Sequence, residues 1–244
     1  MMKKRHLCLF GLMFLLATGS AQAQFGDILK SVQKAVGGTT STGTSPGESE
    51  IAQGLKEALQ VGTKNAVEKV SAAGGYLNNP EIRIPLPPTV KKVESLLKIA
   101  GYGPQMDAFE KSMNLAAEKA APEARSLFVD AVSQMTITDA QKILNGRENE
   151  ATLYFKDKTE TRLHEIFKPV VHDAMAQVGV TKQYQDLDAK MQTLPLADKF
   201  GFDLDGYVTQ GALDGLFLML AQEEKQIREN PAARVTDLLK KVFQ

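Results

Sequence analysis

The sequence predicts an all-α protein: a single helical bundle of about eight or nine helices, crossed by one extended Pro-rich segment. From Glu50 onward, apolar residues recur at spacings of three and four, as on one face of a helix. No stretch alternates apolar and polar residues as a half-buried strand does. Four prolines fall within residues 80–88, and proline cannot donate the backbone hydrogen bonds of a helix or central strand. The Pro-rich segment (residues 74–88) is therefore expected to be extended or turn-like.

The first 23 residues have the pattern of a secretory signal peptide. Basic residues at positions 3–5 precede an apolar run from Leu7 to Ala17, and small residues follow at Ala21 and Ala23. The apolar run is well short of the ~20 residues that span a bilayer. We therefore expect export, cleavage after Ala23 and a periplasmic location, with secretion from the cell as the alternative.

Cysteine content and charge exclude several classes of function. The single cysteine, Cys8, lies in the signal peptide, so the mature chain is expected to lack disulfides, thiolate metal sites and cysteine nucleophiles. Cleavage also lowers Lys+Arg from 29 to 26 against 29 Asp+Glu, which gives a net charge of −3. A nucleic-acid binder is basic, so nucleic acid is not an expected partner. No cofactor motif is found, and neither a cofactor nor a metal is expected.

The mature chain is expected to begin with a tethered helix. Residues 24–36 carry apolar side chains at helical spacing and form a short amphipathic helix. Residues 37–49 consist mainly of Gly, Ser and Thr, which is typical of a flexible linker. The helix either makes a peripheral membrane contact, binds a partner, or packs onto the helical domain of residues 50–244. No transmembrane helix is expected in the mature chain.

Glycine and proline residues divide residues 50–244 into the predicted helices, because proline starts a helix well and glycine ends one well. The helices are expected from Glu50 to before Gly74, from Pro88 to Gly101, from Gly103 past Ala120, from Pro122 past Met135, from Thr138 to Asn145, from Ala151 to Val178 with a bend at Pro169, around Tyr184 to Met191, from Asp203 to Glu229, and from Pro231 to Phe243.

Three finer expectations concern helix ends and packing. Thr138 and Gln141 match a capping box at the start of one short helix. Gly211 and Gly215 lie four residues apart, which suggests close packing against another helix. The helix from Pro88 is expected to bury one stripe, formed by Val90, Val93, Leu96, Leu97 and Ala100.

Several motifs in fixed order resemble one bacterial family. They are GGYLNNPEIRIPLP, MNLAAEKA, MTITDAQKILNG, ATLYF and ENPAARVTDLLKKVF. Together they resemble the family catalogued as domain of unknown function 4197, from about Ile51 to Gln244. The resemblance implies an exported helical protein from a Gram-negative type of bacterium. It implies no activity and supplies no catalytic residues.

Arg83 is the main candidate for binding, because it lies between Ile82 and Ile84 in an extended apolar stretch. In an extended chain its side chain points away from those of the two isoleucines. If the isoleucines are buried, the guanidinium faces solvent, a carboxylate or an anionic ligand.

Two interpretations of Arg83 stay open. In the first, it forms a structural ion pair that holds the Pro-rich segment on the bundle, with Glu118, Asp130 and Asp139 as candidate partners. In the second, it forms an anion or head-group site with Asn79 and Asn114. Glu118 belongs to the same surface, since it follows Asn114 by one helical turn.

Tyr154 and the two mature-chain histidines are weaker candidates. Tyr154 precedes Phe155, and adjacent helix positions point about 100° apart, so Tyr154 either lines a groove or keeps its hydroxyl at the surface. His164 and His172 lie about 12 Å apart along one helix, too far to share one metal.

An acidic run near residue 203 resembles a calcium loop only in part. Asp203, Asp205 and Asp214 match three ligand positions, but the glycine falls at Gly206 and the last position is not glutamate. Asp203 is therefore expected to cap the following helix.

The sequence favours a non-enzymatic periplasmic protein that binds an envelope partner or an amphiphilic ligand. The Pro-rich segment and the adjacent helix ends are the expected recognition surface. One alternative is a hydrolase of an envelope polymer, with a carboxylate pair from different helices. The other is a purely structural envelope protein or small oligomer.

Overall fold

The computed structural model describes residues 47–177 and 202–229, with the single positions 182, 185, 186 and 189. The described part is helical and contains no strand, so the all-α prediction is confirmed. The predicted signal peptide, amphipathic helix 24–36 and most of the linker lie outside the described residues. So do most of the short helix around Tyr184 and the whole helix from Pro231 to Phe243.

The helices follow the proline and glycine punctuation of the sequence. Pro88, Pro104 and Pro122 each lie in the first turn of a helix, where the missing N–H costs nothing. The elements are α1 (Glu48–Ser71), α2 (Pro88–Lys92), α3 (Glu94–Ile99), α4 (Gly103–Ala120), a 3-10 turn (Ala121–Glu123), α5 (Ala124–Gln134), α6 (Ile137–Asn145), α7 (Glu150–Gln177) and α8 (Leu204–Glu229).

One hydrophobic core joins these helices. The last described helix, α8, packs against α1, α4 and α7. The rings of Phe128 and Phe155 meet edge to face at 5.3 Å between centroids, and Phe217 of α8 lies 6.2 Å from Phe128. Such contacts add to the burial of the rings themselves. None of the described helices combines the length and the apolarity needed to span a bilayer.

The predicted helix from Pro88 to Gly101 is two helices, because the chain turns at Val93 between α2 and α3. Val90, Val93 and Leu97 are buried as expected. Leu96 and Ala100 are exposed, so their assignment to the buried stripe was wrong. The turn at Val93 resets the helical phase, and α3 then presents Leu97 alone to the core.

Helix α6 begins with a capping box two residues before the predicted one. The Thr136 hydroxyl accepts from the Asp139 N–H at 3.1 Å, and the Asp139 carboxylate accepts from the Thr136 N–H at 3.0 Å. The box predicted at Thr138 was wrong, because that residue lies inside the first turn. The hydrogen bonds from Thr136 lower the pKa of Asp139.

Gly211 and Gly215 contact the Pro-rich segment rather than another helix. A Cβ on Gly215 would lie 2.6 Å from Tyr76 Cε1 and 3.0 Å from Ile82 Cβ, and one on Gly211 would lie 3.1 Å from Ile84 Cγ1. The two glycines do mark a close approach, but the prediction that another helix packs there was wrong. The small residues let a non-helical backbone approach α8.

Candidate functional site

A groove of about 490 Å³ lies between the Pro-rich segment and α8. Its buried lining is apolar and includes Ile82, Ile84 and Gly215. Leu218 also lines the groove and is 40% exposed. The exposed polar lining consists of Glu81, Arg83, Gln210 and Asp214. The groove thus places an apolar surface beside groups of both charges.

Asn114 of α4 holds the wall of the groove in place. Its Oδ1 accepts from the Ile84 N–H at 2.8 Å, and its Nδ2 donates to the Ile84 carbonyl at 2.9 Å. The same Nδ2 also donates to the Glu110 carbonyl at 2.8 Å. Because Asn114 is fully buried and its amide is engaged within the protein, it positions the segment instead of facing a ligand.

Glu118 anchors the start of the Pro-rich segment. Its buried carboxylate accepts from the backbone N–H groups of Gly74 at 3.1 Å, Tyr76 at 3.2 Å and Leu77 at 3.4 Å. The Tyr76 hydroxyl donates to the Ala212 carbonyl of α8 at 2.6 Å. Burial raises the pKa of Tyr76, and the charge of Glu118 raises it further. Both residues therefore have structural roles.

Arg83 pairs with Glu110, one turn before Asn114. Its Nε donates to Glu110 Oε1 at 2.7 Å, and 47% of the arginine side chain is exposed. Glu118, Asp130 and Asp139 were the predicted partners, and that prediction was wrong. Arg83 lies beside the turn of α4 that precedes Asn114, where Glu110 is, whereas Glu118 is on the turn that follows Asn114. The terminal amines of Arg83 have no hydrogen-bond partner among the described residues. These donors remain available at the groove.

Asn79 shapes the turn that precedes Arg83. Its Oδ1 accepts from the Glu81 N–H at 3.0 Å, and its backbone carbonyl accepts from the N–H of Arg83 at 2.9 Å. The Asn79 amide nitrogen lies 3.5 Å from the Met219 sulfur. Of the three residues considered for an anion site, only Arg83 lines the groove.

Tyr154 lies at a different place on the surface. Its hydroxyl donates to the Ala131 carbonyl at 3.0 Å and links α7 to α5. It lines a cavity of about 420 Å³ that also includes Asp130 and Asp139. Partial burial raises the pKa of Tyr154, and the charges of Asp139 and Asp157 act in the same direction.

His172 joins α7 to α8 through Asp205, with 2.7 Å between Nδ1 and Oδ2. This hydrogen bond raises the pKa of His172. Asp203 accepts from the Gly206 N–H at 2.9 Å, which confirms that it caps α8. In residues 47–177 and 202–229, no group of three or more histidine or carboxylate side chains is placed to hold a metal ion.

Sequence reasoning missed the contribution of α8 to the groove. Tyr207 donates its hydroxyl to the Pro85 carbonyl at 3.1 Å, and Gln222 donates to Glu81 at 2.8 Å. These contacts join residues more than 100 positions apart, so no local pattern reveals them. Gly211 and Gly215 were the available signal, because paired glycines in a helix mark a close approach.

Comparison with known proteins finds one family model, and its match covers both elements that form the groove. A model described as "Protein of unknown function (DUF4197)" matches residues 45–244, which include the Pro-rich segment, α4 and α8. No curated protein and no solved structure matches the chain.

Proposed function

Because the chain belongs to this family of proteins of unknown function, we propose a function from its own geometry. We propose a non-enzymatic exported protein that binds an amphiphilic ligand in the groove between the Pro-rich segment and α8. The observation that carries this proposal is the apolar groove wall beside the terminal amines of Arg83, which have no hydrogen-bond partner in the part of the chain that the structure describes. A volume of about 490 Å³ is in the range of small-molecule sites.

The groove favours a ligand whose head group carries both an anionic oxygen and a hydrogen-bond donor. Arg83 offers donors to an anionic oxygen, and charged donors make strong hydrogen bonds. Glu81 and Asp214 each accept one bond from a glutamine, which leaves one carboxylate oxygen on each for a donor of the ligand. The apolar part of the ligand would then contact Ile84 and Leu218.

Location and architecture complete the proposal. The signal-peptide pattern of residues 1–23 supports export and a periplasmic site of action. The whole domain, residues 50–244, would contain eight or nine helices, with the helices predicted around Tyr184 and from Pro231 among them. The Pro-rich segment would cross this bundle and present Arg83. An envelope protein that inserts an amphiphilic side chain into the groove is the related alternative.

The buried carboxylates outside the groove support binding over catalysis. Glu224 accepts from the N–H groups of Ala151 and Thr152 at 3.0 and 2.9 Å and caps α7. Glu223 accepts from Asn65 at 3.1 Å and pairs with Lys69. These groups are committed to the fold and are not directed at a substrate.

A hydrolase remains the second candidate because two carboxylates, Glu81 and Asp214, line the same groove. Both are exposed, so neither has the desolvated setting in which a general acid usually lies. If the protein hydrolyses an envelope polymer, Glu81→Gln and Asp214→Asn should each abolish release of fragments. A purely structural role is less well supported, because Ile84 covers the Gly211 face.

Native mass spectrometry of the detergent-free protein, before and after denaturation, tests the proposal. We expect a stoichiometric extra mass that is released on unfolding. Arg83→Gln and Leu218→Asp should lose it, whereas Val129→Asp, at a side chain 47% exposed on α5, should keep it. Retention of the ligand by both groove variants would contradict the proposal, as would a bare wild-type protein that takes up no added anionic amphiphile.

A further inference from the structure

The corner formed by α2 and α3 exposes two large apolar side chains. Ile99 is 85% exposed, more than any other large apolar side chain in the described part of the chain, and Leu96 is 46% exposed. The two lie three residues apart on α3, so they are neighbours on one face of the helix. This face points away from the core, which α3 contacts through Leu97.

Buried side chains and a backbone hydrogen bond fix the position of this corner. Val90 and Val93 are buried and anchor the turn between the two helices. Gly101 has a φ of 87°, and the Tyr102 N–H donates to the Leu97 carbonyl at 2.9 Å, which closes the end of α3. Ile99 is thus exposed on an ordered element, and little conformational entropy is lost when it contacts another surface.

The exposed apolar face lies close in sequence to several lysines. Residues 88–101 contain three lysines and one acid, whereas the whole chain has no net charge. Lys98 pairs with Glu94 at 2.6 Å. Lys91 and Lys92 are exposed and have no ion pair among the residues that the structure describes. Asp107 and Glu110 of α4 also act on the charge of Lys98, and Glu110 is paired with Arg83, so the positive excess of the corner rests on Lys91 and Lys92.

We propose that this corner docks on an anionic phospholipid surface. Leu96 and Ile99 would enter the boundary between head groups and acyl chains, and Lys91 and Lys92 would lie at the level of the phosphates. Basic side chains around an apolar face are the chemistry that recognises such a surface. Two side chains are too few to form a stable protein interface, which buries about 800 Å² on each partner.

This inference does not depend on the binding groove. Leu96, Ile99 and the two lysines do not line it. The contact is peripheral, and it would place a protein that handles amphiphiles at the surface where such molecules reside.

The test uses the absence of tryptophan from the sequence. In the full chain, Ile99→Trp introduces a single fluorescent reporter at the corner, and Ile137→Trp introduces a control at a side chain 47% exposed on α6. The probes are vesicles of phosphatidylglycerol and phosphatidylcholine in equal amounts, vesicles of phosphatidylcholine alone, and vesicles with brominated acyl chains. We expect a blue shift and quenching for Ile99→Trp with the anionic vesicles and neither effect for Ile137→Trp.

Charge reversal at the two lysines tests the electrostatic part of the proposal. In the Ile99→Trp background, Lys91→Glu with Lys92→Glu should lower the partition coefficient on anionic vesicles at least about tenfold, since each basic residue near such a surface contributes appreciably. The absence of a blue shift at Ile99→Trp would overturn the proposal. An equal shift in the control would do so too, as would an unchanged partition coefficient after charge reversal. A shift with an envelope protein but not with vesicles would show a protein surface instead.

Discussion

Asn114 pairs with both backbone polar groups of Ile84, as a neighbouring β-strand would. The two bonds measure 2.8 and 2.9 Å, and both residues are buried. A side chain of a helix thereby makes the pair of backbone hydrogen bonds that a strand would make, at a segment with no strand beside it among the described residues. Because Ile84 is only 3% exposed, water is poorly placed to replace these bonds.

Asn114→Leu should destabilise the protein strongly. The substitution preserves volume but leaves the Ile84 N–H and carbonyl unpaired, and each buried unpaired group costs about 1–3 kcal/mol. We expect a loss of about 2–5 kcal/mol in the free energy of unfolding, measured by urea denaturation. Asn145→Leu is the matched control, because Asn145 is exposed and makes one bond to Gln141. Equal stability of the two variants would disprove the structural role of Asn114.

Glu118→Ala should also be costly, because three backbone N–H groups lose their acceptor. Hydrogen bonds to a charged group contribute about 1.5–3 kcal/mol each, so we expect a loss of about 3 kcal/mol or more. Glu118→Gln keeps one oxygen and should fall between Glu118→Ala and the wild type. Thermal unfolding is the measurement, and the exposed Glu123→Gln should leave the midpoint nearly unchanged. A Glu118→Ala variant as stable as Glu123→Gln would refute this account.

Gly215→Ala and Gly103→Ala should have opposite effects. A Cβ at residue 215 would lie 2.6 Å from the Tyr76 ring, so the segment must move, and such overpacking costs about 1–3 kcal/mol. At residue 103 a Cβ meets no atom of the described residues within 4 Å, and loss of glycine flexibility in the unfolded chain should stabilise by up to about 1 kcal/mol. The measurement is the urea midpoint of each variant. If both midpoints shift in the same direction, the packing described for α8 is contradicted.

The His172–Asp205 pair should stabilise the protein more in acid than in base. The hydrogen bond that His172 donates to the Asp205 carboxylate raises the folded pKa of His172, and the charge of Asp173 adds to this effect. The contribution is therefore fully present below the unfolded value of about 6.5 and is lost as the pH rises through the folded pKa. Asp205→Asn should lower the His172 midpoint in an NMR titration, and Asp173→Asn should lower it less. A midpoint that Asp205→Asn does not move would remove the basis for the pH dependence.

Helix positions were predictable from sequence because proline and glycine act locally. Pro104 and Pro122 start helices whatever surrounds them, and Gly101 ends one through its own backbone conformation. The two threonines before α6 show the limit of such signals. Thr136 and Thr138 are both residue types that cap helices, and the structure uses Thr136 with Asp139.

The candidate site was predictable in part. The alternation of Ile82, Arg83 and Ile84 gave the correct faces, since the isoleucines are buried and the arginine is half exposed. The partner of Arg83 was not predictable, because Glu110 and Glu118 lie one turn on either side of Asn114. The direction in which the segment runs along α4 decides between them, and that direction is a tertiary property.

The bonds that hold the Pro-rich segment also determine when it can form. They join Ile84 to Asn114, Tyr76 to Ala212 and Pro85 to Tyr207, across 30, 136 and 122 positions of the chain. Local bonds at Asn79 shape the turn of the segment, but the bonds that hold it on the bundle form only when the distant partners are in place, so we expect it to dock late in folding, after α4 and α8 have met. The segment also contributes Tyr76, Ile82 and Ile84 to the same hydrophobic core as the helices, so segment and bundle stabilise each other. A molecule that bridges the segment and α8 would add to this mutual stabilisation.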